Sequence, residues 1–150
     1  MIVQEKSPKE HYMQVKIDWT LLDDEAHPLW EAGFCLYAYL HPKRDLLLYI
    51  GKSDFSTVGH RIQGNHKNQL FRDIRREYKI DKIRALQGEL LLEKGRRRSS
   101  ELLADIESLL ISYLRPYGNI SATQSRISRP GLRVTCKGDW PFKHKVFYDE

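Results

Sequence analysis

The chain of 150 residues fits one domain with a single hydrophobic core, and two independently folding halves would each be marginal. Its longest apolar runs, such as residues 46–50, are too short to span a bilayer, and Glu5, Lys6 and Lys9 interrupt the stretch where a secretory signal needs an apolar core. Two cysteines, Cys35 and Cys136, have no metal-ligand spacing, so a reduced, cytoplasmic protein with no membrane attachment is expected.

The formal charge of +5 hides an asymmetry. Residues 1–32 carry three Lys against seven acids, whereas residues 33–150 carry 22 Lys or Arg against 13 acids. A basic body behind an acidic leader points to a polyanionic partner, most simply nucleic acid.

Along the chain, residues 13–19 read as a strand, and Trp19, Pro28 and Trp30 as anchors that pack the leader onto the domain. Residues 34–40 and 46–50 are β-forming runs around the polar turn His41-Pro42-Lys43-Arg44-Asp45, which predicts a hairpin. After capping residues at 53–57, Val58, Ile62, His66 and Leu70 recur every four positions and predict a helix. Gly59 and Gly64 weaken it, each costing roughly 1 kcal/mol against Ala in a helix interior.

Residues 68–78 predict a second short helix. Residues 82–92 predict a third strand, because Gly88 interrupts the helical alternative. The clearest element follows: Ser99 and Ser100 cap a helix whose stripe is Leu102, Leu103, Ile106, Leu109, Leu110, Tyr113 and Leu114, with Pro116 ending it. Residues 132–137 read as an edge strand that Trp140 and Phe142 fold back. The expected fold is α/β, a small three-stranded antiparallel sheet flanked by helices. The leader (1–32) packs on a central domain (33–120), and residues 121–150 form a short β extension of that domain.

The order of several residues is informative. Tyr37 and Tyr49 stand on opposite arms of the hairpin with Tyr-Ile-Gly at 49–51, Arg61 on the next helix, Glu107 on the late helix and Asn119 just beyond it. Over residues 34–119 this set resembles the GIY-YIG nuclease family, whose members cleave phosphodiester bonds with one divalent metal. The stretch Asp-Ile-Glu-Ser-Leu-Leu-Ile-Ser-Tyr-Leu-Arg-Pro-Tyr-Gly-Asn at 105–119 strengthens the likeness.

The resemblance implies a metal-dependent DNA endonuclease with catalytic Tyr37, Tyr49, Lys52, Arg61 and Glu107. Glu107 is the metal ligand, for Mg²⁺ with Mn²⁺ able to substitute. A helical wheel sets Glu107 to one side of the apolar stripe, beside Leu103 and Ile106. Arg61 offers a forked guanidinium to the scissile phosphate. A tyrosine base needs a nearby cation, since an unperturbed phenol has a pKa of about 10; Lys52 is the one within the motif. Which tyrosine is the base stays open.

Two departures stand out. The first motif reads Cys-Leu-Tyr, and alternation puts Tyr39 on the same strand face as Tyr37, so Tyr39 rivals it. Many relatives have a His four residues after the Arg; His66 follows Arg61 by five, about 140° round a regular helix. His66, with His60 as another option, and Asn119 are carried as further candidates.

Lys67, Arg72, Arg75 and Arg76 near the active-site helix, and Arg96, Arg97 and Arg98 ahead of the late helix, are candidate DNA contacts beside Lys52 and Arg61. A homodimer that cuts both strands is compatible with this size. The competing reading is a non-catalytic nucleic-acid-binding module that keeps the fold. A nucleotide-binding P-loop is excluded, because Tyr-Ile-Gly-Lys-Ser lacks the upstream glycine.

Overall fold

A computed structural model describes residues 13–23, 27–31, 33–54, 57–63, 68–122 and 131–148. The strands are β1 (Met13–Leu22), β2 (Cys35–Leu40), β3 (Leu47–Ser53), β4 (Arg84–Leu92), β5 (Leu132–Gly138) and β6 (Val146–Tyr148). The helices are α1 (Val58–Gln63), α2 (Asn68–Tyr78) and α3 (Ser100–Leu114), with 3₁₀ turns at Pro28–Glu31 and Tyr117–Ala122.

All six strands form one mixed sheet in the order β3-β2-β4-β1-β5-β6. The expected three-stranded sheet is therefore corrected. Half of the sheet comes from the segments read as leader and extension. The reason lies in β1, which is paired on both sides, antiparallel to β4 and parallel to β5. Its alternate residues Val15, Ile17 and Trp19 are buried, so the strand sits in the middle of the fold and the sheet grows outward from it. For the same reason β5, expected at an edge, lies between β1 and β6.

The predicted hairpin forms as β2 and β3, and residues 84–92 are a strand. Gly88 has a packing role there. A Cβ would lie 2.8 Å from Ile17 and 2.9 Å from the Trp19 ring, so its bareness lets that indole lie against β4. The predicted late helix is α3. The Ser99 hydroxyl accepts from Leu102 N–H at 3.0 Å at its start, and Arg115 in the left-handed region ends it before Pro116.

One sheet face carries the larger core. There Leu36, Ala38, Ile50, Leu86, Ile17, Trp19, Val134 and Phe147 pack against Leu102, Leu103, Ile106 and Leu110 of α3. On the other face, Tyr37, Tyr39 and Leu48 pack with Val58 of α1 and Ile74 of α2. The helix expected from 58 to 70 is divided into the end of α1 at Gln63 and the start of α2 at Asn68; residues 64–67 lie outside the described set. Both cysteines are buried and neither is in a disulfide, and burial pushes their thiols up to about 11 for Cys35 and about 12 for Cys136. Thiolate nucleophile chemistry at neutral pH is thereby disfavoured. Among the described residues, no helix is long and apolar enough to cross a membrane.

Candidate active site

The register of the hairpin builds the site. Tyr37 lies opposite Gly51 and Tyr39 opposite Tyr49, so three phenol rings share one face of β2 and β3. A bulge between Tyr39 and Leu40 lets Leu47 stay in the larger core while Leu48 joins the tyrosine face. The Tyr39 ring stacks between Tyr49 at 5.2 Å and Phe71 of α2 at 5.3 Å, with Tyr37 at 5.7 Å.

Gly51, the glycine of Tyr-Ile-Gly, is required by Tyr37. A Cβ on Gly51 would stand 2.4 Å from the ring carbon Cζ and 2.5 Å from the hydroxyl. The ring of Tyr37 therefore lies across the bare backbone of the edge strand, with its hydroxyl over β3. A side chain at position 51 would expel it.

Arg61 comes from α1, whose first turn closes with Arg61 N–H donating to Thr57 C=O at 3.0 Å. Its charge acts on the Tyr37 phenol, and the Tyr37 and Tyr49 rings stand 6.1 Å apart. Glu107 lies on the half-buried flank of α3 beside fully buried Leu103 and Ile106. Although α3 packs on the opposite sheet face, β3 is an edge strand, and the Glu107 charge is felt by both Tyr37 and Tyr49.

The electrostatics separate the three phenols. Burial raises the pKa of Tyr37; the Arg61 charge offsets part of this, and Glu107 adds to the rise. Burial also raises Tyr49, helped by the neighbouring Tyr37 and Glu107. Burial raises Tyr39 strongly, and its buried hydroxyl has no partner among the described residues.

Lys52 stands elsewhere. Alternation along β3 turns it to the opposite face from Tyr49 and Gly51, and Arg61 is the cation acting on the phenols. Asn119, buried after α3, accepts from Ile50 N–H and donates to Ile50 C=O, both at 2.8 Å. Its amide thus mimics a neighbouring strand at the open edge of β3 and holds Tyr49 and Gly51 in register. Exchanging Asn119→Ala leaves two buried backbone groups unpaired. A urea titration is expected to give a loss of about 2–4 kcal/mol. An unchanged midpoint would remove this bracing role.

Arg72, Arg75 and Arg76 are exposed on α2, the helix whose Phe71 covers the tyrosines, and Arg75 lies 5.9 Å from the Phe71 ring centre. Arg96, Arg97 and Arg98 are exposed ahead of α3, with Arg98 5.6 Å from the Phe34 ring centre. His66 and Lys67 lie outside the described residues, as does the His60 side chain.

Sequence reasoning missed two contributors on this face. Phe71 seals the far side of Tyr39, and buried Gln87 lies opposite Tyr37 on β4. Phe71 had a readable signal, an aromatic residue on a short helix close to the motif. Gln87 had none, since strand register across a 50-residue separation is not written locally.

Among the described residues, no group of three or more His, Cys, Asp or Glu is gathered to hold a metal. Among the described residues, the carboxylate acting on Tyr37 and Tyr49 is that of Glu107. That suits Mg²⁺, which keeps several waters and takes one or two carboxylates. Comparison with protein-family models, with curated proteins and with solved structures finds no match for this chain.

Proposed function

We propose that the chain is a metal-dependent endonuclease of the GIY-YIG type, hydrolysing phosphodiester bonds in DNA. The observation that carries this reading is the meeting of Tyr37, Tyr49, Arg61 and Glu107, contributed by β2, β3, α1 and α3, in one electrostatically coupled cluster. Packing alone does not ask for it. A half-buried arginine and a half-buried carboxylate acting on a buried phenol pair cost desolvation that an aliphatic core would avoid.

Each residue has a role in hydrolysis. The Tyr37 oxygen, whose pKa burial raises and the Arg61 charge lowers in part, takes a proton from the attacking water. The water oxygen bonds to phosphorus, the bond from phosphorus to the leaving sugar oxygen breaks, and that oxygen takes up a proton from solvent. Arg61 neutralises the charge gathering on the phosphoryl oxygens. Its buried Nε has no partner among the described residues, leaving that donor for an anion. Glu107 would hold the metal, which when bound would offset the carboxylate's opposition to the Tyr37 phenolate and supply Lewis-acid stabilisation of the phosphoryl group.

Two buried thiols outside any disulfide fit a reducing, cytoplasmic setting. A single centre cutting both strands of a duplex needs either a homodimer or two successive encounters.

The test is incubation of the purified chain with supercoiled plasmid in Mg²⁺, in Mn²⁺ and in EDTA. Nicked or linear product is expected with either metal and none in EDTA. Retained DNA binding without cleavage, across both metals and across duplex, single-stranded, flap and branched substrates, would replace the enzyme with a binding module. Discrete fragments point to sequence-specific cutting, whereas cleavage of branched substrates alone points to structure selection.

A further inference from the structure

A second site lies on the same hairpin, away from the tyrosines. The turn after β2 and the exit from α2 enclose a cavity of about 370 Å³ lined by His41, Pro42, Lys43, Tyr78, Ile80 and Lys82, with Lys79 and Asp81 completing its rim. This volume falls at the small end of the range for small-molecule sites, roughly 300–1,000 Å³. His41 follows Tyr37 by four residues, which along a strand is roughly 13 Å.

The chemistry of the walls is divided. Lys43, Lys79 and Lys82 extend exposed ammonium groups around the rim against the single carboxylate of Asp81. Pro42, Tyr78 and Ile80 form a half-buried apolar side. At the base, buried His41 accepts from Lys43 N–H through Nδ1 at 3.1 Å, so its neutral ring carries the proton on Nε2, as a donor. Desolvation and the charges of Arg44, Arg84 and Lys43 lower the His41 pKa and favour that neutral form.

The cavity is also braced. Arg84 donates to His41 C=O at 2.9 Å and to Arg44 C=O at 3.0 Å, and lies 3.6 Å from Asp45, which fixes the turn. Lys79, in the left-handed region, ends α2 with Ile80 N–H donating to Arg75 C=O at 3.2 Å. Tyr78 meets Tyr117 edge-on at 5.6 Å. Lysines at a turn are commonly solubility charge. A fixed apolar wall beside the His41 ring is what sets these apart.

We infer that this cavity binds a nucleoside phosphate unit, its phosphate among Lys43, Lys79 and Lys82 and its base against Pro42, Tyr78 and Ile80. Base-face contact with an aromatic or apolar wall tolerates any base, and a cationic rim suits one phosphate. The unit's two sources are a nucleotide of a DNA strand running along the hairpin from the scissile bond and a free nucleotide. The strand source rests on the nuclease reading; the cavity's chemistry does not.

The experiment measures binding in EDTA, where cleavage is absent, by fluorescence anisotropy of a labelled single-stranded oligonucleotide of about ten nucleotides, within the span of common single-strand sites. Deoxyadenosine monophosphate is titrated in parallel by calorimetry. The exposed triple exchange Lys43→Ala, Lys79→Ala and Lys82→Ala is expected to weaken oligonucleotide binding about tenfold. It should also make the logarithmic salt slope shallower by about 0.7, the value for one single-strand phosphate. Tyr78→Ala should weaken binding with the salt slope unchanged.

Loss confined to the oligonucleotide identifies the strand source, and loss of the monophosphate as well identifies a free-nucleotide site. Unchanged affinity for both probes in the triple variant overturns the inference. A wild-type chain that cuts no DNA but loses oligonucleotide binding in this variant would retire the nuclease reading and keep the cavity.

Discussion

Exchanging Tyr37→Phe is expected to lower metal-dependent DNA cleavage about a hundredfold or more, within the range assigned to a lost general acid–base group. The ring stays in place across Gly51, so the packing is kept and only the hydroxyl is lost. Tyr39→Phe is the matched control. Its hydroxyl is buried with no partner among the described residues, so its removal should leave cleavage within a few-fold and leave stability unchanged or raised.

The pH profile separates a base from a packing residue. The pKa of Tyr37 is raised above its ordinary value near 10, so below pH 9 its phenolate fraction grows about tenfold per pH unit. The wild-type rate should rise with pH over that interval and the Tyr37→Phe rate should be flatter. A Tyr39→Phe enzyme with the larger loss would transfer the base role to the rival tyrosine. Equal losses in both would make the hydroxyls structural.

The contrast between what was legible and what was not follows from the range of the interactions. Local chemistry was readable: the hairpin from its β-forming arms, and α3 from its stripe, its Ser99 cap and Pro116. The place of Glu107 on the flank of α3 beside Leu103 and Ile106 was also readable from its helical angle, whereas its electrostatic reach to the tyrosines depends on β3 lying at the sheet edge. Long-range pairing was not. Residues 13–19 read as a strand, but the parallel partner of β1, β5, begins more than a hundred residues later and leaves no local mark. Without that pairing, residues 1–32 look like a packed appendage and the sheet appears half its size.

Within the site, Lys52 shows the same limit at short range. Three residues beyond Tyr49 suggests proximity in sequence, but an odd offset on a strand means the opposite face. The cation that acts on the phenols, Arg61, comes from the following helix. Asn119 was readable as a residue near the site, while its two bonds to Ile50 depend on β3 being an edge strand, which only the strand order reveals.

The exchange Glu107→Gln tests the central claim most directly, because it conserves shape on the flank of α3 and removes only the charge. The claim is that this carboxylate, acting across the β3 edge on Tyr37 and Tyr49, holds the metal that cleavage requires. The measurement is the initial rate of supercoiled plasmid cleavage in Mg²⁺ for wild type and variant, with thermal unfolding of both recorded alongside. The account predicts a loss of about a hundredfold to a thousandfold with melting unchanged or slightly raised, since loss of a transition-state electrostatic partner has that size. Equal cleavage by the two folded proteins would contradict it.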